Sequence, residues 1–309
     1  MRFLTPFFFL KHFTLNARIF KLSLLLSVVA GALVFATIYN FYLFIIPNIL
    51  LGISFALSLP YVETIALERI GKERYGKARL FGSIGFILIA LALARFMNDS
   101  KYALWFLFAS ILFTALVGWP LGKIEAQKER ASGKFDLLSH WPLWANLFLM
   151  QVSFGPFYNF FTIYEKEHGL SYTTISYLWT FGVIAEIFML YFQGPLLKRD
   201  LLKILQLCSA ITAFRWLLIQ FFPTTIPILY FAQSLHAFSF ALYYTAAISY
   251  LFVIYPNKTL AQQFFGGVSF GLGGMVGSFL AGLFYGEYLF LYAAFVAFLS
   301  TLVLFIRKT

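Results

Sequence analysis

Three side chains in this 309-residue sequence can hold, pass on or release a charge, and each lies where charge is costly. Glu186 is central in the run from Thr173 to Gly194 (TTISYLWTFGVIAEIFMLYFQG), which is otherwise apolar, small or uncharged. A lone acid at mid-bilayer depth costs about 2.5–3.5 kcal/mol on insertion scales. The next apolar stretch carries Arg215, and the one after it His236. Burial and a neighbouring cation act in opposite directions on a carboxyl's proton affinity. A movement that separates Glu186 from Arg215 would therefore change how tightly the acid holds a proton, which is the chemistry of ion coupling. The plainer alternative is a structural ion pair between helices. His236, with an ordinary pKa of about 6.5, could relay a proton or bind a solute; equally, it could be a neutral ring bonded to a neighbouring helix. Gln233 lies three residues earlier, on nearly the same helix face. Trp179, Trp216, Tyr158 and Tyr243 are candidates for an aromatic pocket, although in a chain with 41 phenylalanines each can equally be packing.

The elements that must position these groups follow from composition. The chain is 61% hydrophobic and 11% charged, against about 25% charged for soluble domains. The surrounding solvent is therefore expected to be lipid. A hydrocarbon core of about 30 Å takes roughly 20 helical residues. Ten stretches qualify: 22–39, 43–65, 80–97, 102–121, 141–163, 173–194, 203–222, 226–254, 260–284 and 287–306. Strands of a membrane barrel would alternate over about ten residues; these runs are longer and solidly apolar, so the expected class is an all-α polytopic membrane protein. Nineteen of the 23 basic residues fall on one side of this arrangement and three (Arg95, Lys101, Lys166) on the other, with Arg215 inside a span. That imbalance predicts both termini in the cytoplasm and accounts for the net charge of +11 without nucleic acid. No signal peptide is read at the amino terminus.

Residues 122–140 (GKIEAQKERASGKFDLLSH) form the longest polar connection, read as a cytoplasmic linker. The expected domains are a four-helix bundle over 1–121 and a six-helix bundle over 141–309. Gly267, Gly271, Gly273 and Gly277 lie in GGVSFGLGGMVGSFLAG (266–282). Small residues four apart let helix backbones approach closely, so these are expected packing glycines, with Gly82 and Gly85 serving similarly. Pro47 and Pro60 are expected to bend their helix, and Pro227 to start one. Glu63, three residues after Pro60, is a candidate gate or an interfacial ion-pair member. His12, His140, His168 and His236 lack metal-ligand spacing, the lone Cys208 excludes an internal disulfide, and no phosphate loop or nucleophile motif appears. No metal, cofactor or enzyme activity is expected.

YGKARLFGSIGFI (75–87), LWTFGVIAEI (178–187), Arg215-Trp216 and QSLHAFSF (233–240) resemble the phenylpropionate permease group of the major facilitator superfamily, close to the nucleoside–proton symporters and lactose permease. The likeness runs through nearly the whole chain. It implies helical bundles of the major-facilitator type, alternating access, and proton-coupled symport of a small organic solute, an aromatic acid or nucleoside, across the inner membrane by a monomer. Lactose permease carries an acid, an arginine and a histidine on its eighth, ninth and tenth helices, and Glu186, Arg215 and His236 fall on the corresponding spans. Its further acid, one turn after the histidine, is replaced here by Ser239 and Phe240, which the resemblance reads as leaving the proton to Glu186. Its sugar-binding acid–arginine pair has no counterpart here.

The family has twelve spans, and the two without a counterpart are the first two. MRFLTPFFFLKHF (1–13) reads as the tail of a second helix and its loop, as a late start codon or a degraded gene would leave. Two other readings stand beside the carrier: a ten-helix drug/metabolite-type transporter, which calls for a five-plus-five repeat, and a non-transporting truncated membrane protein.

Overall fold

A computed structural model describes residues 15–96, 100–124 and 136–306. The reading of 1–13, most of the 122–140 linker, and His12 therefore lie outside the described residues. Among the described residues the chain is helical and no strand forms. In chain order the helices are α1 (Ala17–Thr37), α2 (Phe41–Phe96), α3 (Ser100–Gly118), α4 (Trp141–Ser153), α5 (Gly155–Glu167), α6 (Tyr172–Phe192), α7 (Leu201–Phe221), α8 (Ile226–Ser234), α9 (Tyr243–Ile254), α10 (Lys258–Phe265), α11 (Gly274–Leu283) and α12 (Leu289–Val303). Two π-helical turns, Ala237–Leu242 and Gly266–Gly273, interrupt the last third. Seven of the described helical stretches are long and apolar enough to cross a membrane.

Local chemistry sets the helix ends. Ser171 accepts from the Thr174 amide at 3.1 Å, and Asp200 Oδ1 from the Leu202 and Lys203 amides, satisfying donors that a helix start leaves open. Pro227 sits in the first turn of α8, as expected. Two expected spans break differently. The stretch 141–163 is two helices parted at Phe154, where Pro156 supplies no amide to the preceding turn. The stretches 43–65 and 80–97 fall in two helices, written together as α2, that a kink at Gly71 (φ 74°, ψ 159°) parts. Only glycine adopts that backbone readily.

The chain divides into two compact units. The first holds residues 1–69, 85–133 and 255–267. Its core includes Phe20, Leu24, Tyr61 and Ile65, with Phe20 stacked on Tyr61 at 4.4 Å. The second holds 70–84, 134–254 and 268–309. At its centre Asn146 Nδ2 donates to Ser209 Oγ (3.0 Å) and Ser300 Oγ (2.7 Å), and Asn146 Oδ1 accepts from the Tyr243 hydroxyl (2.7 Å). One amide thus ties α4 to α7, α9 and α12. Buried polar groups without partners are costly, so this hub fixes how those helices pack. α11 crosses the α4–α5 break at glycine: a Cβ on Gly155 would come within 2.2 Å of the Gly277 carbonyl oxygen, and one on Gly273 within 2.8 Å of that of Phe148. Gly267 and Gly271 lie in the preceding π turn. Gly82 and Gly85, expected to serve close packing, face open space instead. Outward aromatics such as Phe188 (62% exposed) and Phe279 (70%) leave an apolar exterior suited to acyl chains.

Candidate functional site

Glu186, Arg215, His236 and Gln233 come together inside the second unit, from α6, α7 and the α8–π junction, and all four are buried. The arrangement differs from a direct acid–base pair. Arg215 donates through Nη1 to His236 Nδ1 (3.0 Å) and Ser239 Oγ (3.1 Å), and through Nη2 to Gln233 Oε1 (2.9 Å). The other face of the imidazole meets the acid: His236 Nε2 is 3.5 Å from Glu186 Oε2. His236 therefore stands between the acid and the guanidinium. A guanidinium donates and never accepts, so Nδ1 must offer its lone pair and the ring proton sits on Nε2, facing the carboxylate. Arg215 thereby sets the tautomer of His236 and keeps the ring neutral in this state.

The local fold explains the meeting. Gly182, one turn before Glu186, lets α8 close in: a Cβ there would lie 3.1 Å from Gln233 Oε1 and 3.8 Å from His236 Cβ. His236 directly precedes the first π turn, whose extra residue rotates the side chains that follow. Such turns often mark functional positions. Ser239 and Phe240, which stand where lactose permease has an acid, are both used. Ser239 accepts from Arg215, and Phe240 stacks nearly parallel on His236 at 5.3 Å.

Aromatic rings wall the guanidinium. Its carbon lies 4.4 Å from the Phe157 ring centre and 4.6 Å from that of Trp216, distances at which cation–π attraction operates. Trp179 packs on Phe157 at 4.4 Å and donates to Thr162. Tyr158 stacks on Phe154 and is 43% exposed. Tyr243 is placed elsewhere: its hydroxyl is committed to Asn146 in the packing hub, because α9 turns it toward α4. Glu63 belongs to the first unit, where it is buried and accepts from Gln262 Nε2.

Two participants carry no charge signal in the sequence, and one buried acid stands apart from the cluster. Ser83 Oγ donates to Glu186 Oε1 at 2.7 Å. Tyr244 lies under the Arg79 guanidinium at 3.4 Å. Glu165, just beyond the apolar stretch 141–163, is fully enclosed, and neither carboxyl oxygen has a hydrogen-bond partner among the described residues. Burial pushes its pKa from an ordinary 4.5 up to about 8. The folded protein then holds this proton more tightly than the unfolded chain, so stability is greatest below the unfolded value and declines as pH rises toward the folded one. Thermal unfolding in detergent should show that decline between 4.5 and about 8, and Glu165→Gln should flatten it. An unchanged slope in the variant would contradict this assignment.

Two buried donors, Arg215 Nε and Gln233 Nε2, have no partner among the described residues. Arg215 Nε belongs to the guanidinium that Phe157 and Trp216 wall, and a charged N–H of this kind donates strongly to carboxylates. Among the described residues no cluster of potential metal ligands occurs.

The sequence profile of the MFS_1 like family matches residues 10–297. A probable 3-phenylpropionic acid transporter of Escherichia coli (strain K12) is 27% identical over 203 residues, which cover 61% of this chain and 52% of that protein. The chain thus spans about half the length of that curated relative. Among solved structures, the human organic anion transporter MFSD10 (TETRAN) superposes with a TM-score of 0.78 over 98% of this chain and 80% of its own, at 16% identity. A point variant of the Escherichia coli fucose:proton symporter FucP gives 0.71 over 100% and 87%, at 15% identity. At such identities these structures establish a shared fold.

Proposed function

Because the chain belongs to the MFS_1 like family, a group of multi-pass membrane proteins of the major facilitator superfamily, we propose that it is a secondary transporter of a small aromatic carboxylate, driven by protons. The observation that supports this most is the buried Glu186–His236–Arg215 relay with two unpartnered donors beside it. Glu186 takes the proton. Arg215 and Gln233 hold the solute carboxylate, and Phe157, Trp216 and Trp179 pack against its ring. A carboxylate drawn onto Arg215 Nε pulls on the guanidinium and weakens its Nη1 bond to His236 Nδ1. His236 is then released to turn, and Glu186 loses its Nε2–H neighbour. An acid that loses a donor gains proton affinity, so solute and proton bind cooperatively, which symport requires. The name of one relative, a probable 3-phenylpropionic acid transporter, agrees with the carboxylate.

On the same reading, 1–121 and 141–309 are the two bundles of the chain and 122–140 their linker, a division by sequence order that differs from the compact units at 70–84 and 255–267. On this reading the protein is a monomer in the inner membrane with both termini in the cytoplasm, and the basic imbalance is what supports that orientation. The test is reconstitution in vesicles with an imposed pH gradient, using radiolabelled 3-phenylpropionate, a nucleoside and fucose. We expect 3-phenylpropionate to accumulate only with the gradient. Equal uptake with and without it would reject proton coupling, and accumulation of the nucleoside alone would reject the carboxylate.

A further inference from the structure

We propose that Ser83 is a positioning residue for the Glu186 carboxylate, and that the charge of Glu186 controls whether the segment 70–84 stays docked on α6. This rests on the reading of Glu186 as the proton site. The segment belongs to the second unit and lies along α6 and its following turn. Its backbone fits closely: a Cβ on Gly76 would be 2.2 Å from the Leu190 carbonyl oxygen, and one on Gly194 would be 2.9 Å from that of Glu73. At the rim, Lys198 pairs with Glu73 at 3.3 Å and Lys77 lies over Tyr191 at 4.6 Å. Both members of the ion pair are about half exposed or more, and such pairs hold weakly.

The interior contact is different in kind. Ser83 Oγ meets Glu186 Oε1 at 2.7 Å in a buried setting. A hydrogen bond to a carboxylate is roughly twice as strong as one to a neutral acceptor. A proton on Glu186 therefore weakens the one buried polar tie between the segment and α6 that these contacts include. The groups facing Glu186 are Ser83 and Arg79 from α2, His236 from the α8–π junction with Arg215 behind it from α7, and Tyr158 from α5. Arg79 and Arg215 keep their charge, Tyr158 is a phenol, and Arg215 holds His236 neutral through Nδ1. On the reading of Glu186 as the proton site, the charge that varies among these groups is its own.

The segment also has places to bend. Gly71 carries its left-handed backbone at one end, and Gly82 and Gly85 face open space at the other. Proton binding at Glu186 is thereby linked to release of a segment that pivots between glycines. By reciprocity, docking of the segment lowers the proton affinity of the site.

The experiment is hydrogen–deuterium exchange of the full chain in nanodiscs across pH, followed in peptides covering 72–84 and corrected for intrinsic exchange. Wild type should protect this segment at high pH and lose about tenfold of that protection at low pH, the size of one charge-assisted hydrogen bond. Ser83→Ala should stay at the low-pH level of wild type at every pH, while Ser83→Thr, which keeps the hydroxyl, should follow wild type. In vesicles, Ser83→Ala should raise the pH of half-maximal uptake by about one unit. Protection that does not change with pH in wild type, or a Ser83→Ala protein indistinguishable from wild type, overturns the proposal. Exchange needs no solute: pH-linked protection without accumulation of any solute would sink the transport reading and leave this one standing.

Discussion

Replacing Glu186 with glutamine should abolish accumulation of solute against its gradient while leaving downhill exchange. The substitution keeps shape and polarity. Oε1 of glutamine can still accept from Ser83 Oγ, which lies 2.7 Å from Glu186 Oε1 in the native protein, and the amide can still face His236. Only the ability to change charge is lost. Under an inward proton gradient the native protein should concentrate solute inside vesicles, whereas the variant should stop at equal concentrations on both sides. Counterflow, in which labelled solute exchanges for unlabelled, needs no net proton movement and should persist. The comparison separates a coupling residue from a structural one, because a structural loss would remove counterflow as well. Uphill accumulation by Glu186→Gln at the native level would reject the role given to this acid.

The second large effect is expected from Arg215→Lys. A lysine is a point charge on a flexible stem and cannot reproduce the planar fork. The fork reaches His236 Nδ1, Ser239 Oγ and Gln233 Oε1 at once, and its face packs against Phe157 and Trp216. Hydrogen bonds to charged groups contribute about 1.5–3 kcal/mol each. Losing one or two of them from the solute-bound state weakens binding by about 3 kcal/mol, roughly a hundredfold in Kd. The charge itself remains, so the fold should survive, and thermal unfolding in detergent serves as the control. Binding followed by quenching of tryptophan fluorescence should show the loss. Native affinity in Arg215→Lys would mean that Arg215 pins His236 and never meets solute.

Much of this was legible because charge inside an apolar run is conspicuous. Glu186, Arg215 and His236 each break a hydrophobic stretch, and a packed bundle has few places to hide them except one another. Their pairing order was not legible. Sequence gives the residue types and the spacing of helix faces, while the insertion of His236 between the acid and the guanidinium depends on how closely α8 approaches α6 at Gly182. Ser83 carries no charge and sits in a glycine-containing motif that reads equally well as packing. Tyr243 looked like a pocket wall because its hydroxyl partner, Asn146, lies 97 residues away in the chain. The glycines show the same limit. Gly273, Gly277 and Gly76 meet backbone or side chains at close range, whereas Gly82 and Gly85 do not. Helix rotation decides which, and the spacing is alike in both cases. Glu165 carries no distinguishing sequence signal for a related reason: it follows a span near other polar residues, and only its enclosure sets it apart.

Proton movement accompanying solute uptake tests the relay most directly. Vesicles carrying the native protein and vesicles carrying Glu186→Gln, each with a trapped pH dye and no imposed pH gradient, would receive a pulse of 3-phenylpropionate. The native vesicles should acidify inside, in step with labelled solute and in a fixed ratio to it, while the variant should admit solute with no proton signal above empty vesicles. Equal acidification in both, or solute uptake by the native protein without any, would contradict a proton carried on Glu186.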